Sequence, residues 1–136
     1  MTIALKALTP RNEPFLWEML YHALYVPAGQ PPYPRAIIRQ PEISRYVAGW
    51  GKPGDDGLAA ICDETPVGAA WLRLLEGYGY VNDATPELSL AVLPAYRGQG
   101  IGTLLLAGVL EGARLRYPGV SLSVINENPA RRLYAR

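Results

Sequence analysis

Hydrophobic and polar positions change rhythm repeatedly along this chain, and each rhythm predicts an element. Residues 2–8, "TIALKAL", form a short apolar segment suited to an edge or central strand. In "TPRNEPFLWEMLYHALY", residues 9–25, Phe15, Leu16, Met19, Leu20, Ala23 and Leu24 recur at helical spacing, which predicts an amphipathic helix. Thr9 suits its N-cap and Pro10 its first helical position. Trp17, Tyr21 and Tyr25 make a second stripe that either packs, the usual use of aromatics, or lines a substrate pocket.

The prolines of "VPAGQPPYPRA" (26–36) predict a loop, "QPEISRYVAGW" (40–50) a short helix, and "GKPGDDG" (51–57) a connector. "LAAICD" and "PVGAAWLRLLE", with "ETP" between them, predict two strands in a tight hairpin. "GYGYVNDATP" is a loop leading into the strand "ELSLAVL" (87–93). "IGTLLLAGVLEGARLRY" (101–117) is a helix stopped by Pro118 and Gly119. "VSLSVI" is a β-rich strand, and "NENPARRLYAR" opens a last helix with Asn126 or Asn128 as cap and Pro129 in its first turn. The resulting class is a mixed α/β sheet, antiparallel early and closed late by a strand–helix–strand crossover.

Composition narrows the picture. A chain of 136 residues, 49% hydrophobic and 18% charged, is one domain able to bury a core without staples. A net charge of +1 without a lysine or arginine cluster argues against a nucleic-acid partner, and the basic "ARRLYAR" reads as a solvated helix face. Cys62 alone supports neither a disulfide framework nor a multi-cysteine metal site, and no metal is expected. No apolar run approaches the roughly 18 residues of a membrane span, and the N-terminus lacks a signal-peptide pattern. A cytoplasmic protein without a membrane partner is the expectation.

The chemistry concentrates in "LSLAVLPAYRGQGIGTLLL" (88–106). Gly98, Gly100 and Gly102 alternate at the mouth of a helix, with Arg97 just before them. Glycine lets backbone approach a ligand closely and adopt positive φ. Unpaired N–H groups and the helix dipole then make an anion site, most naturally for a phosphate or pyrophosphate. "GQGIGT" lacks the G-x-G-x-x-G spacing of the dinucleotide-binding fingerprint, and no "GK[ST]" follows, so neither common nucleotide loop fits.

"LAVLPAYRGQGIGTLLL" resembles the acetyl-CoA-binding motif of the GNAT superfamily of N-acetyltransferases, whose signature is [Q/R]-x-x-G-x-[G/A]. Here it reads Arg97-Gly98-Gln99-Gly100-Ile101-Gly102, and "NPARRLY" resembles the family's last segment, an asparagine followed by "A-x-x-L-Y". The resemblance implies a GNAT-like, mostly antiparallel sheet flanked by helices, with residues 1–136 as a single N-acetyltransferase domain. It implies that Arg97, Gly98, Gln99, Gly100, Ile101, Gly102 and Thr103 bind the coenzyme A pyrophosphate through backbone amides. Leu90, Ala91 and Val92 would lie beside the pantetheine arm, one N–H holding the thioester carbonyl as charge develops on it.

By the same resemblance Glu87 matches the family's strand-start base, although a solvent-exposed strand-end carboxylate is the plainer alternative. Tyr134 matches the tyrosine that protonates the coenzyme A sulfur, or else it packs on the coenzyme. Asn128 either bonds the pantetheine arm or only caps the last helix; relatives often carry the asparagine where this chain has Glu127. His22, the single histidine, receives no catalytic role, and Cys62 reads as a small buried residue rather than a nucleophile. Relatives usually continue after "LYAR" with further strands, which implies a missing tail here or a homodimer covering the open edge of "SLSVI".

The leading expectation is acetyl transfer from acetyl-CoA to a primary amine within a ternary complex; the alternative is a non-catalytic acyl-CoA-binding or sensing module. The acceptor, a small molecule or a peptide, would sit against the first helix and the loops at 26–36 and 77–86. Tyr33, Tyr78 and Tyr80 there point to a partly apolar amine.

Overall fold

The structure is a computed structural model that describes residues 2–24, 28–74 and 85–122. Among the described residues five strands form one sheet, in the order β1-β2-β3-β4-β5. They are β1 (Ile3–Ala7), β2 (Asp56–Cys62), β3 (Thr65–Arg73), β4 (Glu87–Val92) and β5 (Ser121–Leu122). The first four pair antiparallel, whereas β5 joins β4 in parallel, so the mixed α/β expectation holds. Parallel pairing needs a crossover. It is supplied by α3 (Ile101–Ala113). The predicted last helix, with Asn126, Asn128, Pro129 and Tyr134, lies outside the described residues, as do Tyr25, Tyr78 and Tyr80.

The sheet divides the core in two. On one face α1 (Glu13–Ala23), the short α2 (Pro41–Ser44) and the residues that follow it bury Leu16, Met19, Ile43, Val47 and Trp50 against Ala69, Trp71 and Ala91. On the other, α3 buries Ile101, Leu105, Val109 and Ala113 against Ala60, Ala70, Leu72 and Leu88. Side chains alternate along a strand, so β4 serves both layers: Leu88, Leu90 and Val92 lie in the α3 layer, and Glu87 and Ala91 in the layer of α1 and of the turns after α2.

Three helix boundaries differ from the sequence pattern: the short helix expected over 40–50 covers only Pro41–Ser44, with turns at 45–49, and two others shift for local reasons. Thr9 caps a 3₁₀ turn over Pro10–Asn12, its N–H donating to Asn12 Oδ1 at 2.8 Å, and α1 itself begins at Glu13. A continuous helix from Pro10 would require an N–H at position 14; Pro14 has none, so the prolines stagger the start. α3 ends at Ala113 rather than at 117, and the chain continues in turns, with the Tyr117 N–H still donating to Ala113 O at 2.9 Å. The Tyr117 hydroxyl donates to Gly54 O at 3.0 Å, which ties this exit to the connector before β2.

The hairpin between β2 and β3 turns on Asp63 and Glu64, whose φ values of 50° and 71° are both left-handed. That conformation matches the right-handed twist of the strands better than an ordinary turn does. Non-glycine residues hold it at a cost.

Candidate active site

The site is assembled where β4 runs into α3. Gly98 and Gly100 have φ values of 76° and 83°, and Gly100 is the left-handed N-cap of α3. Gly102 lies inside the first helical turn, so two glycines answer to backbone conformation and the third to helix entry. The Leu104 N–H is bonded to Gly100 O at 3.1 Å, and the amides ahead of it have no intrahelical acceptor. A Cβ built on Gly98 or Gly100 would meet nothing within 4 Å. The backbone is therefore open above the helix start, and its donor set suits an anion such as a diphosphate.

Arg97 stands beside this opening, and its guanidinium is put to a second use. Nε donates to Val92 O at 2.9 Å and Nη2 to His22 O at 3.1 Å. The second acceptor lies in the last turn of α1, where carbonyls lack helical partners and a cation is favourable. Arg97 thus clips the glycine loop to both β4 and α1. Leu90, Ala91 and Val92 pair with Ala70, Ala69 and Gly68 of β3. Among the described residues β5 pairs with Glu87 and Leu88.

Glu87 is 1% exposed, which overturns the solvent-exposed alternative. Its Oε1 accepts the Tyr46 hydroxyl at 3.0 Å, and the bond is buried. With a strand rise of about 3.3 Å per residue, Glu87 lies about 17 Å along β4 from Val92. The carboxylate and the glycine loop therefore mark opposite ends of one strand.

Nothing in the local pattern of residues 40–50 singles out Tyr46, which stands 41 positions from Glu87 in sequence. Its placement depends on polar side chains of β3. Trp71 Nε1 donates to Tyr46 O at 3.0 Å. Arg73 Nη1 donates to Arg45 O at 3.0 Å and Ala48 O at 2.7 Å, on either side of Tyr46. Arg73 is itself gripped by Asp55, with Nε to Oδ1 at 3.0 Å and Nη2 to Oδ2 at 2.8 Å, both side chains about 95% buried. Two parallel charge-assisted bonds fix the planar guanidinium. Arg73 is the cross-strand partner of Glu87, so one register position organises both.

The aromatic stripe of α1 is tied to polar partners as well as packed. Trp17 Nε1 donates to Glu13 Oε2 at 3.2 Å, and the Tyr21 hydroxyl donates to Tyr33 O at 2.6 Å. The Arg35 guanidinium lies 4.3 Å from the Tyr21 ring centroid and pairs with Glu18. That hydrogen bond holds the Glu18 carboxyl below the usual range; partial burial opposes it, and a bond with His22 adds to it. His22 is accounted for by the same group, its Nε2 standing 2.9 Å from Glu18 Oε1 one helical turn away. Burial, then the neighbouring Asp63 carboxylate, push the Cys62 thiol up, away from the thiolate form that a nucleophile needs. Among the described residues no group of three or more His, Cys, Asp or Glu side chains could hold a metal ion, and no helix is long and apolar enough to cross a membrane.

A mostly antiparallel sheet thus carries an interior strand that feeds a left-handed glycine loop and a crossover helix. Over residues 15–136 the sequence matches the Acetyltransferase (GNAT) family, and the chain belongs to that family. No curated protein matches it significantly in sequence. Its fold is similar to that of a GCN5-related N-acetyltransferase from Ralstonia eutropha JMP134, at 18% identity and a TM-score of 0.74, covering 99% of this chain and 90% of that one. A ribosomal-protein-alanine N-acetyltransferase from Brucella melitensis biovar Abortus 2308 is similar at 17% identity and a TM-score of 0.62, covering 99% and 89%. An aminoglycoside acetyltransferase from an uncultured soil metagenomic sample, in complex with sisomicin, is similar at 16% identity and a TM-score of 0.58, covering 98% and 85%.

Proposed function

We propose that this protein transfers the acetyl group of acetyl-CoA to a primary amine by direct attack within a ternary complex. The observation that carries the reading is the pair of left-handed glycines, Gly98 and Gly100, opening α3 with free space where side chains would stand. Backbone amides from Gly98 to Thr103, with Gln99, Ile101 and Gly102 between, hold the pyrophosphate, and the Arg97 clip keeps that loop in shape. Leu90, Ala91 and Val92 flank the pantetheine arm, and one of their amides polarises the thioester carbonyl.

Acetyl-CoA supplies the activated acyl group; the chain supplies orientation and proton handling. A primary alkylamine has a pKa of about 10.4 in water, so it reaches the site charged and must lose a proton before attacking. Glu87, a buried carboxylate on the central strand, is the group assigned to take it, directly or through water. Tyr134 is assigned the proton donor to the departing thiolate and Asn128 a bond to the pantetheine arm, both on the terminal motif alone. Holding donor and acceptor together removes the entropy cost of their meeting.

The acceptor class is a small or peptidyl amine bound against α1 and the neighbouring loop around Tyr33. Relatives of this fold include proteins named for aminoglycosides and for a ribosomal-protein alanine, which supports the class and leaves its member open. A thiol-release assay with acetyl-CoA against amino acids, polyamines, aminoglycosides and peptide N-termini tests the reading. Free coenzyme A should appear with at least one amine and in equal amount to acetylated product. Tight acetyl-CoA binding with no release from any acceptor would instead make the chain a non-catalytic acyl-CoA-binding module. Calorimetric preference for ATP or NAD over acetyl-CoA would overturn both.

A further inference from the structure

We propose that Tyr46 is a positioning residue for the transfer reaction, acting through Glu87 by fixing the carboxylate in the orientation that receives the acceptor's proton. The inference rests on the reading of Glu87 as base given above. It begins from an anomaly of burial: a carboxylate 1% exposed on a central strand is costly unless donors compensate it, and an apolar residue would pack there at no such cost. Tyr46 supplies one such donor, its hydroxyl 3.0 Å from Oε1 and its side chain also buried. A phenylalanine would fill the same volume, so the hydroxyl rather than the ring is what the carboxylate requires.

The surroundings remove Tyr46's freedom to move. Trp71 holds its carbonyl, and Arg73 holds the carbonyls of Arg45 and Ala48 on either side. Trp71 and Arg73 are the cross-strand partners of Ser89 and Glu87. The strand that carries the donor's support is therefore in register with the strand that carries its acceptor. With the backbone of 45–48 fixed relative to β4, the Tyr46 hydroxyl sets one carboxylate oxygen in place. The planarity of the group carries that orientation to the carboxylate as a whole. General-base catalysis depends on such alignment, because proton transfer needs heavy atoms within hydrogen-bond reach.

A double-mutant cycle on the full chain tests this, using acetyl-CoA and the amine that turns over fastest among the amino acids, polyamines, aminoglycosides and peptides above. Glu87→Gln should lower kcat by about a hundredfold or more, the usual weight of a general base. Tyr46→Phe should lower kcat by about tenfold, the weight of one hydrogen bond to a charged group, with KM for acetyl-CoA unchanged. The double variant should be no slower than Glu87→Gln alone, because Tyr46 then has nothing left to position. Trp71→Phe, which keeps a ring and removes the donor to Tyr46 O, should also lower kcat in a Glu87-dependent way, and it serves if Tyr46→Phe fails to fold by thermal melting. Unchanged kcat in Tyr46→Phe beside an impaired Glu87→Gln would overturn the positioning role and leave the base intact. Losses that multiply in the double variant would make Tyr46 independent of Glu87 and would likewise overturn the positioning role. Full kcat in Glu87→Gln would overturn the base and the positioning role together, and coenzyme A release from no amine would overturn the transfer reaction itself.

Discussion

The two faces of the sheet are built on different principles. Against α3 the core is apolar and close, with Leu105, Val109 and Leu72 packed on alanines of β2 and β3. Against α1 and α2 a buried ion pair, an indole donor and a tyrosine–carboxylate bond are set into the hydrophobic layer. Apolar packing is non-directional and tolerates repacking. Hydrogen bonds to buried groups fix positions, and an unmet one costs more than a met one gains. The α3 face thus presents a stable platform whose helix start offers bare backbone, and the α1 face holds side chains in set orientations.

That contrast can be broken from either side. Arg73→Met should have the largest effect, about 3–5 kcal/mol of stability lost in urea unfolding, because Asp55 is left charged and buried. A loss below about 1 kcal/mol would mean that the polar face packs like the other one. On the α3 face Leu105→Ala should cost about 2–5 kcal/mol and Leu105→Met less than about 1.5 kcal/mol, since volume rather than direction matters there. Equal costs for the two Leu105 variants would remove the distinction. The smallest expected change is a gain: Glu64→Gly relieves a left-handed residue in the β2–β3 turn and should raise stability by about 1 kcal/mol. An unchanged melting temperature would show that this turn stores no strain.

How much of the molecule is legible in its sequence follows the same division. The strands, the hairpin, the crossover and the glycine loop are readable because each depends on near neighbours: alternation, a proline or glycine at a fixed offset, an arginine beside them. The boundaries of α1 and α3 slip where Pro14 and the turns after Ala113 change the local hydrogen bonding. Glu87 stands out through a motif, yet its burial does not, because its buried partner Tyr46 lies 41 positions away. Tyr46, Trp71, Arg73 and Asp55 give no signal. Their partnerships span 18 to 41 positions and appear only once the sheet register brings β3 beneath residues 45–48. In the sequence Arg97 is a charge beside an anion site, and its bonds to Val92 O and His22 O are equally invisible there, since one acceptor lies 75 residues away.

The central claim is that the bare backbone at the start of α3 holds acetyl-CoA. Titration calorimetry of acetyl-CoA into the wild type and Gly100→Val tests it most directly. The new side chain meets no protein atom at its Cβ but stands where the diphosphate would lie, at a φ of 83° that a β-branched residue adopts with strain. The expected result is a variant that still melts cooperatively, somewhat lower in temperature, and gives no detectable binding heat. Wild-type affinity in that folded variant would contradict the claim.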